Sequence, residues 1–223
     1  MKTQSATRLK QAGRWGGLLT LGIVYALLSH RAAASSTPDL LGALVALAPL
    51  LALGFMLARR SHQRALMLAL SLATCAVIYG FKSWLVAHYN WVFLLQHAGT
   101  YALLCVAFGK TLRRGSTPMI SRFASIVHGS LTPALARYTR AATWSWTVYF
   151  GATAGLSLLL FWLAPVAVWS TFANLLGMPL LGLMFAAEYA ARCYALPAAD
   201  RAGPLAAIRA YSQATAQDRA RRP

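Results

Sequence analysis

Residues 110–150, KTLRRGSTPMISRFASIVHGSLTPALARYTRAATWSWTVYF, form the one long polar connection between the apolar runs of the chain. Thr117 as N-cap and Pro118 as the first helical residue predict the start of a helix, and Gly129 predicts its end. One side of this helix is apolar and consists of Met119, Ile120, Phe123, Ile126 and Val127. The other side is polar and consists of Ser121, Arg122, Ser125 and His128. A helix this short cannot cross a bilayer, so we expect it to lie along the membrane surface.

A second helix start follows at Thr132 and Pro133. This helix carries Arg137 and Arg140. A long apolar run without charged residues begins at Ala141. Charged side chains next to a spanning run remain at its polar end. We therefore expect both arginines at the level of the lipid headgroups.

The composition indicates a membrane protein and excludes an ordinary soluble one. Of 223 residues, 58% are hydrophobic and 11% are charged, and the apolar residues come in runs close to the length that crosses a bilayer. The formal net charge of +17 would suit nucleic acid as a partner. However, the Lys and Arg residues lie between the apolar runs, so we expect membrane lipids and not nucleic acid as partners.

We expect an all-α membrane protein with a bundle of about six transmembrane helices and an interfacial amphipathic helix between spans four and five. Its membrane domain covers residues 15–188, with a loop at 110–140, between a basic N-terminus at 1–14 and a basic tail at 189–223. The spans are predicted at residues 15–31, 40–58, 65–81, 91–109, 141–163 and 169–187. Ala32, Ala33 and Ala34 also resemble a signal-peptidase site, so cleavage of residues 1–34 is an alternative reading of the first run.

The distribution of positive charge predicts the orientation of the spans. With six spans, nineteen of the 21 Lys and Arg residues fall on the side of the two termini, and only Arg31 and Lys82 fall on the other. Positive residues are enriched on the cytoplasmic side of membrane proteins. Both termini and the loop at 110–140 are therefore predicted to be cytoplasmic.

Few polar groups interrupt the spans, and each is a candidate for function because burying it in lipid is costly. They are Gln96, His97, Asn174 and Glu188. Glu188 precedes Arg192 by four residues, which favours a helical ion pair over a catalytic carboxylate. Asn174 favours a hydrogen bond between helices over a contact with a ligand.

The loop at 110–140 supplies the remaining candidates. His128 could act as a general base beside arginines that hold an anion, as transfer of an acyl or phosphoryl group requires. A histidine before a helix-ending glycine also contacts the last carbonyls, and this structural role is the favoured interpretation. The catalytic candidates are thus His128 and Glu188. The binding candidates are Arg122, Arg137, Tyr138, Arg140 and Asn174.

Familiar enzyme signatures do not occur. The chain lacks the HxxxxD, GxSxG and HExxH motifs and a Walker loop, and its cysteines, Cys75, Cys105 and Cys193, are widely spaced. We expect no cofactor and no metal site, and the pattern favours a non-enzymatic role over an enzyme.

Two segments of the second half, residues 117–150 and 164–192, resemble an uncharacterised family of small bacterial inner-membrane proteins. The resemblance rests on short groups of residues: Ser121-Arg122-Phe123, His128-Gly129, Tyr138-Thr139-Arg140, Trp144 with Trp146, Trp169-Ser170, Phe172-Ala173-Asn174 and Glu188-Tyr189. Upstream, Leu95-Gln96-His97 and residues 108–112 are also similar to the family. Met178-Pro179 departs from the pattern and predicts a break in the last span.

Members of this family are encoded among genes for aryl polyene or xanthomonadin-type pigment lipids, beside acyl carrier proteins and ketosynthases. The resemblance implies an accessory protein of the bacterial inner membrane whose basic face recruits acyl carrier protein, other biosynthetic enzymes or anionic lipid intermediates. The label "ketosynthase" sometimes given to the family does not suit this chain, since that enzyme needs a larger soluble fold with a nucleophilic Cys and two His. Two alternatives remain: a small lipid or metabolite transporter or flippase subunit, and a membrane acyl-transfer enzyme that uses His128.

Overall fold

The structure, a computed structural model, describes residues 2–35, 39–60, 70, 73–74 and 76–197, and for residues 2–12, 14–15, 60 and 127–128 it describes the backbone only. These residues are mostly helical and include no strand, as the sequence predicts. The helices are α1 (Lys2–Ala34), α2 (Leu40–Arg60), α3 (Lys82–Lys110), α4 (Met119–His128), α5 (Pro133–Leu163), α6 (Val166–Ser170), a π-helical segment (Thr171–Leu176) and α7 (Gly177–Ala195).

Five helical stretches within the described ranges are long and apolar enough to cross a membrane. They are Gly16–Ala34, Leu40–Arg59, Lys82–Lys110, Pro133–Leu163 and Val166–Ala195. They correspond to the first, second, fourth, fifth and sixth predicted spans. About half of the third predicted span, at residues 65–81, lies outside the described residues, and so does most of the basic tail at 189–223.

Residues 82–89, which precede the fourth predicted span, are helical. α3 begins at Lys82 and bends at His88, whose backbone is non-helical with φ −128° and ψ 18°. The Nδ1 atom of His88 lies 2.9 Å from the backbone oxygen of Trp84, and the two rings stack with their centroids 4.9 Å apart. These contacts within one turn keep the chain helical on both sides of the bend, although its polar residues suggest a loop.

The chain forms two compact units. The first unit comprises Met1–Gln96 and Leu159–Gly177. In it, α1 packs against α2, α6 and the π-helical segment. The Tyr89 hydroxyl donates to the backbone oxygen of Ala32 at 2.6 Å, and Gln96 Nε2 donates to that of Ala46 at 2.6 Å. Trp169 is fully buried and packs edge-on against Phe161.

The second unit comprises His97–Leu158 and Met178–Pro223. Its described core is aromatic: Trp146 is buried and packs against Phe150 and Phe185, with ring centroids 5.4 and 4.6 Å apart. α3 and α5 approach closely where the side chain is smallest, because a Cβ added at Gly151 would lie 3.2 Å from the sulfur of Cys105. Cys105 and Cys193 are free thiols.

α4 begins one residue later than predicted. Pro118 has an extended backbone, with φ −54° and ψ 148°, so it precedes the helix and Thr117 does not cap it. The Thr111 hydroxyl accepts from the backbone N–H of Met119 instead, at 2.9 Å. Gly129 ends α4 with φ 72°, as predicted, because glycine adopts positive φ without strain.

The last span is continuous through the predicted break. Pro179 lies three residues after the π-helical segment, inside a helix that runs from Val166 to Ala195, and the irregularity falls in that segment. Segments of this kind are frequent at functional sites. The expected break at Met178-Pro179 is thus absent, and the hydrogen-bond pattern of the helix is irregular at Thr171–Leu176 instead.

Candidate functional site

The second unit exposes a group of cations on and between α3, α4 and α5, which we call the basic face. All its members are exposed: Lys110, Arg113, Arg114, Arg122, Arg137 and Arg140. The structure therefore exposes three of the predicted binding residues, Arg122, Arg137 and Arg140, on this unit.

Hydrogen bonds bring the segments of the basic face together. Arg140 Nη2 donates to the backbone oxygen of Leu112 at 3.0 Å, which holds the arginine against the turn that follows α3. The N–H of Met119 reaches Thr111 in the same turn. The turn itself closes at Gly115, whose φ of 82° suits glycine. The start of α4, the turn and the first part of α5 thus share one region.

Hydrogen bonds hold α4 against α5. The Ser121 and Thr139 hydroxyl oxygens are 2.7 Å apart, and both residues are buried. The N–H of Ile120 donates to the Thr143 hydroxyl at 3.2 Å. In contrast, Phe123 and Ile126 on the apolar side are 46% and 41% exposed. The part of α4 that faces away from the unit therefore carries Phe123 and Ile126 beside the exposed Arg122.

Glu188 is engaged within the second unit. Its Oε1 accepts from Arg192 Nη2 at 2.8 Å and Nε at 3.3 Å, which confirms the predicted ion pair. The Tyr138 hydroxyl lies 2.9 Å from the same Oε1 and from the Glu188 backbone oxygen. Two predicted site residues, Tyr138 and Glu188, thus hydrogen-bond to each other.

The positive charge of the basic face is not neutralised by the described residues. Two of them are acidic, Asp39 in the first unit and Glu188 in the second, and the described ion pair is Arg192–Glu188. The carboxylate of Asp39 accepts from the backbone N–H of Gly42 at 2.7 Å. The basic face can therefore attract an anionic partner without first breaking a described ion pair.

Asn174 belongs to the first unit, in the π-helical segment. Its Nδ2 donates to the Ser170 hydroxyl at 3.0 Å, and Ser170 Oγ lies 3.0 Å from His30 Nδ1. The bond of Asn174 is thus within its own helix, whereas a bond between helices was predicted. Ser170 makes the link to α1, and the sequence analysis missed both His30 and Ser170. His30 could have been identified from the sequence, because it is an ionisable residue near the end of the first apolar span.

Two further expectations concern His128 and metal binding. His128 ends α4, but its side chain lies outside the described part of the structure, so its catalytic role remains a prediction. Across the described ranges, no three His, Cys, Asp or Glu side chains group in a way that would hold a metal ion.

Comparison with known proteins adds no relative. No protein-family model, no curated protein and no solved structure matches the chain. The resemblance of residues 117–150 and 164–192 to pigment-lipid proteins therefore stays a prediction.

Proposed function

We propose that the chain is an accessory protein of the bacterial inner membrane in a fatty-acid-like or aryl polyene lipid pathway. In this proposal six spans cross the membrane and both termini are cytoplasmic. Support comes from the five helices of spanning length and from the strong bias in positive charge. The link to the lipid pathway rests on the resemblance of the second half of the chain.

In this proposal the basic face recruits acidic acyl carrier protein or anionic lipid intermediates to the membrane. The observation that carries it is the set of six exposed cations without a described carboxylate partner. A surface of one charge sign raises the local concentration of partners of the opposite sign and speeds their encounter. Such a role needs no catalytic group, in keeping with the missing enzyme motifs.

Binding of acyl carrier protein at low salt tests the proposal. The full chain in detergent is titrated into fluorescently labelled acyl carrier protein, and the anisotropy of the label gives the affinity. Arg113→Gln with Arg114→Gln is the informative variant, because neither side chain hydrogen-bonds to a described residue. We expect this variant to bind several-fold more weakly, as loss of two steering charges predicts.

The matched control removes the same charge from the first unit. Arg31→Gln with Lys82→Gln neutralises two exposed cations on the predicted outer side. We expect this control to bind as the unmodified chain does. Absence of binding by the unmodified chain, or equal weakening in both variants, contradicts recruitment by the basic face.

A second candidate function, a small lipid or metabolite transporter or flippase subunit, is favoured by one observation. His30, Ser170 and Asn174 form a polar hydrogen-bonded chain at a π-helical segment between helices of spanning length. Polar groups at irregular helical segments are characteristic of transporter binding sites. Replacing Asn174 by Leu would then abolish accumulation of the exported lipid, and unchanged accumulation at normal protein level would exclude this role.

A further inference from the structure

The exposed side of α4 combines apolar and cationic side chains. Phe123 and Ile126 are three residues apart and are neighbours on the helix surface, and Arg122 adjoins Ile126 because four residues separate them. All three are exposed. This combination differs from a solvated helix face and matches the boundary between lipid headgroups and acyl chains.

α4 cannot turn this apolar side inward without breaking its own anchors. Ser121 is 3% exposed and is held 2.7 Å from the Thr139 hydroxyl. The Thr143 hydroxyl accepts from the N–H of Ile120 at 3.2 Å. These contacts fix the rotation of α4 about its axis, so Phe123 and Ile126 face the surroundings of the protein.

Two arginines flank this anchor. Arg122 follows Ser121 and Arg140 follows Thr139 in sequence, so each arginine is next to one member of the pair whose hydroxyl oxygens are 2.7 Å apart. Arg122 Nε donates to the Thr117 backbone oxygen at 3.1 Å. Arg140 contacts the protein through Nη2, and each guanidinium therefore retains donors for a further acceptor. Planar guanidinium groups bind phosphate through paired hydrogen bonds.

The backbone at the start of α4 is not the anion site. The N–H groups of Met119 and Ile120 already donate to the hydroxyls of Thr111 and Thr143. These two N–H groups therefore do not bind an anion, whereas the arginine side chains retain donors for one.

We infer that α4 with Arg122 and Arg140 is a binding site for an anionic phospholipid. The headgroup phosphate contacts the two guanidinium groups, and an acyl chain lies along Phe123 and Ile126. The charge of the arginines selects an anionic headgroup, and the exposed apolar residues select a lipid over a free phosphate. This inference rests on the proposed function, since it places the basic face at the membrane surface and names one class of its anionic ligands.

Native mass spectrometry of the full chain in detergent tests the headgroup contact. The probes are dioleoyl phosphatidylglycerol and dioleoyl phosphatidylcholine, which differ in net charge but not in acyl chains. We expect the unmodified chain to retain phosphatidylglycerol preferentially. Arg122→Gln with Arg140→Gln should weaken this retention by about tenfold or more, because both charge-assisted hydrogen bonds to the phosphate are lost.

Arg31→Gln with Lys82→Gln is again the matched control, and we expect it to retain phosphatidylglycerol normally. Equal retention by the two double variants overturns the inference. Arg122→Gln alone serves as a second variant, because Arg140 also holds the turn at Leu112 and its loss can disturb folding. Normal retention by a folded Arg122→Gln chain likewise overturns the inference.

A second arm separates lipid from free phosphate. Phe123→Gln should weaken retention of dioleoyl phosphatidylglycerol. The extent to which inorganic phosphate displaces the bound lipid should not change. If inorganic phosphate displaces the lipid as well as the lipid displaces itself, the site binds free phosphate and the lipid assignment is wrong. Binding of acyl carrier protein is measured on the same samples. Its absence refutes recruitment of that protein, whereas a lost preference for phosphatidylglycerol refutes only this inference.

Discussion

Replacing Glu188 should destabilise the second unit more than any nearby surface change. The carboxylate oxygen Oε1 receives both Arg192 contacts and the Tyr138 hydroxyl, and the side chains of Glu188 and Arg192 are only 10% and 19% exposed. Breaking a buried ion pair costs about 3–5 kcal/mol and an exposed pair about 0–1 kcal/mol. For this mostly buried pair we expect Glu188→Leu to lower the free energy of unfolding by about 2–3 kcal/mol.

The contribution of Tyr138 can be separated by a double-mutant cycle. Tyr138→Phe removes one hydrogen bond and should cost about 1 kcal/mol. With Glu188 already replaced, the Tyr138 hydroxyl keeps its 2.9 Å contact with the backbone oxygen of residue 188, so the same change should cost about half as much and the coupling energy should be about 0.5 kcal/mol. The free energies come from unfolding of the purified chain in mixed micelles with increasing dodecyl sulfate, followed by circular dichroism.

Tyr189→Phe is the control for this cycle, because Tyr189 is exposed and adjoins Glu188 in sequence. We expect its effect to stay within about 0.5 kcal/mol. A coupling energy between Tyr138 and Glu188 below about 0.3 kcal/mol would refute the reasoning, since independent sites give values of that size.

Two further substitutions test the packing in each unit by the same unfolding measurement. Gly42→Ala places a methyl group 2.8 Å from Tyr89 Cζ, so we expect a loss of about 1–3 kcal/mol, whereas Gly54→Ala meets nothing within 4 Å and should be neutral or stabilising. Ser121→Ala leaves the buried hydroxyl of Thr139 without its 2.7 Å partner and should cost about 1 kcal/mol.

Either result could contradict the packing described. Equal stability of the Gly42→Ala and Gly54→Ala chains would show that α2 does not lie against Tyr89. An unchanged stability of Ser121→Ala would show that α4 is not anchored through its polar side.

Local sequence rules succeeded where one helix contains all the participants. Thr132 and Pro133 start α5 as predicted, and the N–H of Leu135 donates to the Thr132 hydroxyl at 3.2 Å. The pair Glu188–Arg192 follows from the spacing of four residues. At Thr117 the same N-cap rule failed, because Thr111, eight residues before Met119, supplies the hydroxyl.

The rest of the candidate site depends on contacts between distant residues, which periodicity does not encode. Tyr138 meets Glu188 across 50 residues, and His30 meets Ser170 across 140. The amphipathic pattern of α4 did not predict which of its residues the rest of the protein buries, since Ser121 is buried whereas Arg122, Phe123 and Ile126 are exposed. That choice depends on Thr139 and Thr143 of α5, whose hydroxyls meet the polar side of α4.

The salt dependence of acyl carrier protein binding tests the central claim most directly. The affinity is measured by anisotropy from about 0.01 M to about 1 M salt, over which the screening length falls from about 30 Å to about 3 Å. The account predicts a steep loss of affinity for the unmodified chain and a shallower one for Arg113→Gln with Arg114→Gln. An affinity that is independent of salt, or a slope unchanged in this variant, would contradict recruitment by the basic face.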